Sequence, residues 1–192
     1  MANTFSQIYL QFVFAVRNRQ SLIAKENKEE VHKYITGLVK NRKAKMLAVN
    51  CMPDHTHLFV GFKPVISISD FIKEIKVESN EFINNKKWIR SNFGWQEGYG
   101  VFSYSQSHID SVCKYVINQE EHHRKKSFRE EYHDFLEKFK IEYDEKYLFD
   151  FSIDKQEAHT ELVKLFRHGY KQVAPNGAEN LNRTIVLTLR YK

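Results

Sequence analysis

Cysteine is nearly missing from this sequence. There are two residues, Cys51 and Cys113, in a chain of 192. A pair so far apart makes neither a disulfide framework nor a metal knuckle. That scarcity points to a reducing, cytoplasmic setting. Three prolines and seven glycines are too few for a collagen-like or low-complexity chain. No apolar run is long enough to span a bilayer. The start, Met1-Ala2-Asn3-Thr4, has no basic stretch leading into an apolar one, as a secretory leader does. The expectation is therefore a cytoplasmic protein with no membrane partner.

Charge and aromatics, by contrast, are plentiful. Thirty Lys and Arg against 24 Asp and Glu leave a net charge of +6. That surplus admits a polyanionic partner without requiring one. Phe 15 and Tyr 10 bring the aromatic share to 14%. Tyrosine beside lysine and arginine suits base stacking and phosphate contact. It also suits an aromatic core, which is the commoner use. The length fits one domain, or one domain with an appendage.

Hydrophobic periodicity sets out the elements. From Phe5 to Arg17, Ile8, Leu10, Phe12 and Phe14 recur with period two and predict a strand. From Lys25 to Lys43, Val31, Ile35, Leu38 and Val39 share one helical face. Lys45 to Met52 is a second strand, broken by Pro53-Asp54, and His55 to Phe62 is a third. Ser67 with Asp70 opens a helix as a capping box, and Phe71, Ile72, Ile75 and Phe82 carry it to about Asn84. Trp95 to Tyr104 alternates again, with Gly98 and Gly100 permitting a bend or bulge. Ser107 with Asp110 predicts another capping box, on a helix whose core face is Ile109, Val112, Val116 and Ile117. Ser127 and Glu130 predict one more helix, with Phe128, Phe135, Leu136 and Phe139. This order makes two split β-α-β units. The fold class is α+β: a ferredoxin-like or RRM-like sandwich, an antiparallel sheet with flanking helices.

The character changes near Tyr143. Glu157 to His168 has helical spacing, Ala174-Pro175-Asn176-Gly177 is a turn, and Thr184 to Tyr191 is β-branched. We divide the chain into a main domain, 1–150, and an extension, 151–192.

Two groups of residues carry the chemistry. His55 and His57 flank Thr56 on a strand, so both imidazoles lie on one face, a few ångströms apart. That is a half-site for a divalent ion, though His-x-His also occurs on ordinary solvated sheet faces. Asp54 beside them is either a second-shell partner or a turn residue. Tyr115 and Gln119, four apart, share a helical face distinct from the apolar one, and His108, Ser111 and His122 lie near the same line. Such a face is either solvated or building a site. Two histidines and the amide oxygen of Gln119 would hold a cation with positions left open for substrate. A tyrosine hydroxyl placed beside a polarised phosphodiester becomes a usable nucleophile.

The run Pro53-Asp54-His55-Thr56-His57-Leu58-Phe59-Val60 resembles the His-hydrophobe-His signature of the HUH endonucleases. Trp95-Gln96-Glu97-Gly98-Tyr99-Gly100-Val101-Phe102-Ser103 is similar to a run of the single-tyrosine HUH transposases, the TnpA-type and RAYT-type enzymes. So is Tyr115-Val116-Ile117-Asn118-Gln119-Glu120 with His122-His123, and Tyr143-Asp144-Glu145-Lys146-Tyr147-Leu148 is similar to the family's ending. The resemblance covers roughly residues 3–150. It implies a metal-dependent DNA transposase that cuts and rejoins single-stranded DNA at hairpin-marked ends. Tyr115 would form a covalent 5′-phosphotyrosine and free a 3′-hydroxyl, with no nucleotide cofactor. It implies Mg2+ or Mn2+ held by His55, His57 and Gln119, and a homodimer in which Tyr115 serves the histidines of either subunit. Two departures stand out: Thr56 in place of a bulky apolar residue, and the extension after Asp150.

Arg17, Arg19, Arg42, Lys43 and Lys45, with Arg124, Lys125 and Lys126 after the tyrosine, are candidates for phosphate contact. A solvated charged face is the commoner use of any single one. The alternative to catalysis is a domesticated hairpin-DNA-binding protein that cuts nothing.

Overall fold

The computed structural model describes residues 5–145 and 148. The expectations for residues 151–192 lie outside the described residues. Four strands pair antiparallel in the order β2-β3-β1-β4. They are β1 (Ile8–Ala15), β2 (Lys45–Cys51), β3 (His55–Phe62) and β4 (Gly100–Tyr104). The central pair, β1 and β3, sets Ala15 opposite His55, Val13 opposite His57 and Gln11 opposite Phe59. This is the α+β ferredoxin-like sandwich that the β-α-β spacing predicts.

Helices cover both faces of the sheet. On one face, Leu10, Phe12, Phe14, Leu58, Val60 and Phe62 meet α1 (Lys28–Asn41) and α2 (Ile68–Asn85). Val31, Ile35, Leu38 and Val39 are the buried stripe of α1, as their spacing requires. Ser67 Oγ accepts from the Asp70 N–H and starts α2. On the other face, Val13, Ala15, Phe59 and Phe102 meet α3 (Ile109–Ile117) and α5 (Phe128–Lys138). Because side chains alternate along β3, His55 and His57 point to this second face with Phe59.

Three expectations change. The last strand is shorter, starting at Gly100 rather than Trp95. Trp95 still bridges to Val16, but Gly98 takes φ +78°, a turn that a regular strand does not contain. The Ser107–Asp110 box does not form. Ser107 Oγ instead bonds Ser105 Oγ at 2.8 Å, a 3₁₀ turn at Gln106–His108 precedes the helix, and α3 starts at Ile109. Finally, Ile117 does not join the core. Val112 and Val116 are buried, but Ile117 is 62% exposed at the last turn of α3.

α3 ends there because Asn118 leaves helical geometry (φ −91°, ψ 23°). The buried Asn50 on β2 donates its Nδ2 to the Ile117 carbonyl at 2.9 Å, satisfying one of the orphan acceptors of a helix end. A separate turn, α4 (Gln119–His122), follows. The capping box of α5 is complete. Ser127 Oγ accepts from the Glu130 N–H, and Glu130 accepts from the Ser127 N–H at 2.8 Å. Among the described residues, no helix is long and apolar enough to cross a membrane.

Candidate metal and tyrosine centre

His55 and His57 are both buried. A buried imidazole has to find partners for its nitrogens, and each ring has one. His55 Nδ1 lies 2.7 Å from Asp54 Oδ1, and the other Asp54 oxygen is paired with Arg19. The Arg19 guanidinium in turn stacks 4.1 Å over the ring of Phe128. His57 Nδ1 lies 3.2 Å from the Gln11 side-chain amide, which is itself held by the Tyr104 hydroxyl at 2.9 Å. Burial pushes the His55 imidazole down to about 3 despite Asp54, so the ring is neutral at pH 7. Burial alone would raise the Asp54 carboxyl, but His55 and Arg19 outweigh it and hold it below its ordinary value. A neutral histidine oriented by a carboxylate is the arrangement that suits a metal ligand.

Opposite the histidines stands Glu131, on α5, only 2% exposed. Its Oε2 is 3.3 Å from His57 Nε2 and 3.5 Å from His123 Nε2. Its Oε1 accepts from the Tyr115 hydroxyl and from Gln119 Nε2 at 3.0 Å, with His122 Nε2 at 3.5 Å. Burial would raise this carboxyl, but the neighbouring His57, with the hydrogen bond from Tyr115, holds it well below the carboxylate range. Glu131 is therefore an anion sealed among histidines. The Tyr115 hydroxyl moves the other way. Burial and the Glu131 charge push it well above the usual tyrosine value, so it stays protonated at pH 7.

The structure thus brings Tyr115, Gln119, His55, His57 and Asp54 together in one chain. The His57 and Tyr115 rings lie 6.1 Å apart between centroids. Tyr115 and Gln119 meet by a different route from the one their spacing suggests. They sit on either side of the break at Asn118, and Glu131 joins them. Glu131 is the residue that sequence reasoning passed over, and His123 entered it only as part of the tyrosine motif, with no role of its own. One signal for Glu131 was available: it falls three residues after Phe128 and four before Phe135, inside the apolar stripe of α5. A cavity of about 280 Å³ opens beside Tyr115, bordered by Tyr104, His108, His122 and Lys138. A second cavity, of about 380 Å³, lies against α2 at Arg17, Lys73, Lys76 and Trp95.

The basic candidates divide. Arg17, Lys43 and Lys45 are at the surface. The Arg19 side chain is enclosed and tied to Asp54. Arg42 is likewise enclosed and paired with Glu74 and Glu78. Arg124 and Lys125 pair with Glu121, and Lys126 with Asp134. Arg19 and Arg42 thus serve carboxylates of the chain itself, Asp54 for the one and the more exposed Glu74 and Glu78 for the other, because their long apolar stems let the charge reach back over the fold.

The group described as "Transposase IS200 like" matches residues 4–119. A curated relative, the ISDra2 transposase TnpA of Deinococcus radiodurans, is 21% identical over 118 residues, which is 59% of this chain and 84% of the relative. Two solved structures are similar in outline. A candidate transposase from Deinococcus radiodurans R1 matches with TM-score 0.49 and 20% identity, covering 62% of this chain and 95% of that one. A REP-associated tyrosine transposase bound to a REP hairpin matches with TM-score 0.47 and 16% identity, covering 64% of this chain and 73% of that one.

Proposed function

Since the chain belongs to the IS200-like transposase family, a class of DNA-cutting enzymes, we propose that it cuts and rejoins single-stranded DNA at hairpin-marked ends through a covalent 5′-phosphotyrosine on Tyr115. One observation carries the reading. The Tyr115 hydroxyl donates to Glu131, whose other oxygen faces both His57 and His123. A nucleophile and a cation-binding half-site thus share one carboxylate.

In the proposed reaction, Tyr115 Oη attacks the scissile phosphorus. The P–O3′ bond breaks, the 3′-oxygen leaves and takes a proton, and the phosphotyrosine bond forms. The Tyr115 proton passes by way of Glu131 Oε1, the acceptor already in contact with it, to the leaving 3′-oxygen. Positioning does much of the work, because the hydroxyl is a poor nucleophile in its resting state. Rejoining reverses the steps with another 3′-hydroxyl, and the ester bond energy is kept, so no nucleotide is needed.

The residues fit a divalent ion. His57 Nε2, Gln119 Oε1 and Glu131 Oε2 are buried without hydrogen-bond partners, an unusual concentration of unsatisfied polar atoms. His55, His57 and the Gln119 amide oxygen would hold Mg2+ or Mn2+. Bound there, the ion would polarise the phosphoryl oxygen as a Lewis acid. The tyrosine and the histidines lie close together within one chain, which supports a reading in which Tyr115 serves its own subunit's histidines. A homodimer remains part of the proposal through the family resemblance.

The test is a denaturing gel. End-labelled single strands from the flanking DNA, incubated with the protein and Mn2+, are expected to yield a covalent band with one label only. Tyr115→Phe is expected to abolish that band while circular dichroism and hairpin binding persist. A persistent band in Tyr115→Phe overturns the assignment of the nucleophile. Hairpin binding with no band in the unmodified protein would favour a silent DNA-binding protein.

A further inference from the structure

We propose that this chain binds its divalent ion through three imidazoles and one carboxylate, His55, His57, His123 and Glu131, a donor set that selects manganese, cobalt or zinc over magnesium. The inference rests on the metal-dependent reading above, keeps His55 and His57, and puts His123 and Glu131 in the place that reading gave to Gln119.

The first argument is a count of lone pairs. His123 Nδ1 lies 3.0 Å from the Lys126 carbonyl oxygen. A carbonyl only accepts, so Nδ1 carries the hydrogen and His123 Nε2 is bare. His55 Nδ1 faces the Asp54 carboxylate, so it too carries the hydrogen and His55 Nε2 is bare. Those two bare nitrogens face each other at 3.0 Å. Two lone pairs at that distance repel unless a cation lies between them. A few ångströms away, His57 Nε2 and Glu131 Oε2 are 3.3 Å apart, both buried and both without a hydrogen-bond partner.

The second argument is spacing. One donor atom from each of the four residues lies within 4.8 Å of the others. Bonds of about 2.1 Å meeting at roughly 90–110° set neighbouring donors about 3.0–3.4 Å apart. The separations of 3.0, 3.3 and 3.5 Å fall close to that range.

The third argument is donor chemistry. Mg2+ prefers hard oxygen ligands and keeps its waters. Three imidazoles are borderline donors and favour the later divalent ions. The carboxylate supplies the one negative charge. In this arrangement Gln119 Nε2 anchors Glu131 Oε1 and so aims the opposite oxygen at the histidines.

The test uses metal-free full-length protein with no DNA present. Mn2+ and Mg2+ are titrated by calorimetry, and Co2+ is followed by its visible absorption. We expect one ion per chain, with Mg2+ about 100-fold weaker than Mn2+. Glu131→Gln and His123→Ala are each expected to weaken Mn2+ by about tenfold or more and to change the Co2+ spectrum, with the far-ultraviolet circular dichroism unchanged. If Glu131→Gln does not fold, His123→Ala, at the rim of the site, carries the test. Unchanged Mn2+ affinity and Co2+ spectrum in His123→Ala overturn the proposal. So does Mg2+ binding as tightly as Mn2+. Failure to bind any ion also overturns it and leaves a shared proton between His55 and His123. An adduct on DNA together with metal binding indifferent to these variants would remove the four-ligand site alone. The expected metal binding with no adduct would remove strand transfer alone.

Discussion

Asp54 shows how much work a single residue does at this site. One oxygen orients His55 and the other engages Arg19, which packs over Phe128. Asp54→Asn keeps the shape and removes the charge. Mn2+ affinity is expected to fall about tenfold to a hundredfold, the usual cost of losing a carboxylate behind a ligating histidine, and calorimetry checks it. Retained affinity would show that His55 is oriented without that charge. Among single residues, Glu131 was the hardest to read in the sequence. It stands beside Glu130, and both fall in the first turn of α5, where acidic residues favour the helix dipole. That local reason is sufficient for Glu130, which caps the helix at the surface. For Glu131 the deciding facts are non-local: the imidazoles of β3 and the hydroxyl of α3.

At the scale of elements, what was legible follows from rigidity. β3 runs from His55 to Phe62 as its alternation indicates, and period two alone places His55 and His57 on one face. Trp95 to Tyr104 alternates equally well, yet only Gly100 to Tyr104 is strand, because alternation does not register a left-handed glycine. The helical spacing of Tyr115 and Gln119 pointed to the right neighbours, although the helix stops between them. The end at Asn118 is capped by Asn50, 67 positions before Ile117, and no local pattern contains that contact. Asn50→Ala is expected to cost about 1 kcal/mol, the worth of a buried hydrogen bond. Ser127→Ala is expected to cost about 1 kcal/mol through loss of the α5 cap. Urea denaturation measures both. The two should add, since the residues share no partner in the structure, and a large departure from additivity would show that α3 and α5 unfold as a coupled unit.

At the scale of the whole molecule, burial of histidine ties stability to pH. His32 and His55 are lowered by burial, to about 4 and about 3. In the unfolded chain they take up protons near pH 6.5, whereas in the folded chain they do so only well below it. The unfolded state therefore binds more protons between those values, and stability falls as pH drops through 6.5 toward 4. The lowered Asp54 and Glu131 carboxyls act in the same direction below about pH 4.5. Urea midpoints from pH 7 to 4 are expected to decline steadily. His32 is outside the His55–His57–His123–Glu131 cluster and accepts from the Cys51 N–H at 2.8 Å. His32→Gln, which keeps an acceptor, should flatten part of that slope, and an unchanged slope would refute its share.

The capping box of α5 has a further consequence. An α-helix advances about 100° per residue. Ser127 and Glu130 fix the starting phase, and that phase decides which of two adjacent glutamates looks inward. Inserting or deleting one residue between Ser127 and Glu131 would rotate Glu131 out to solvent and bring a neighbour to the imidazoles. The surface positions of this turn can change their chemistry freely, but its length is locked, so a single-codon slip here would do more harm than most substitutions.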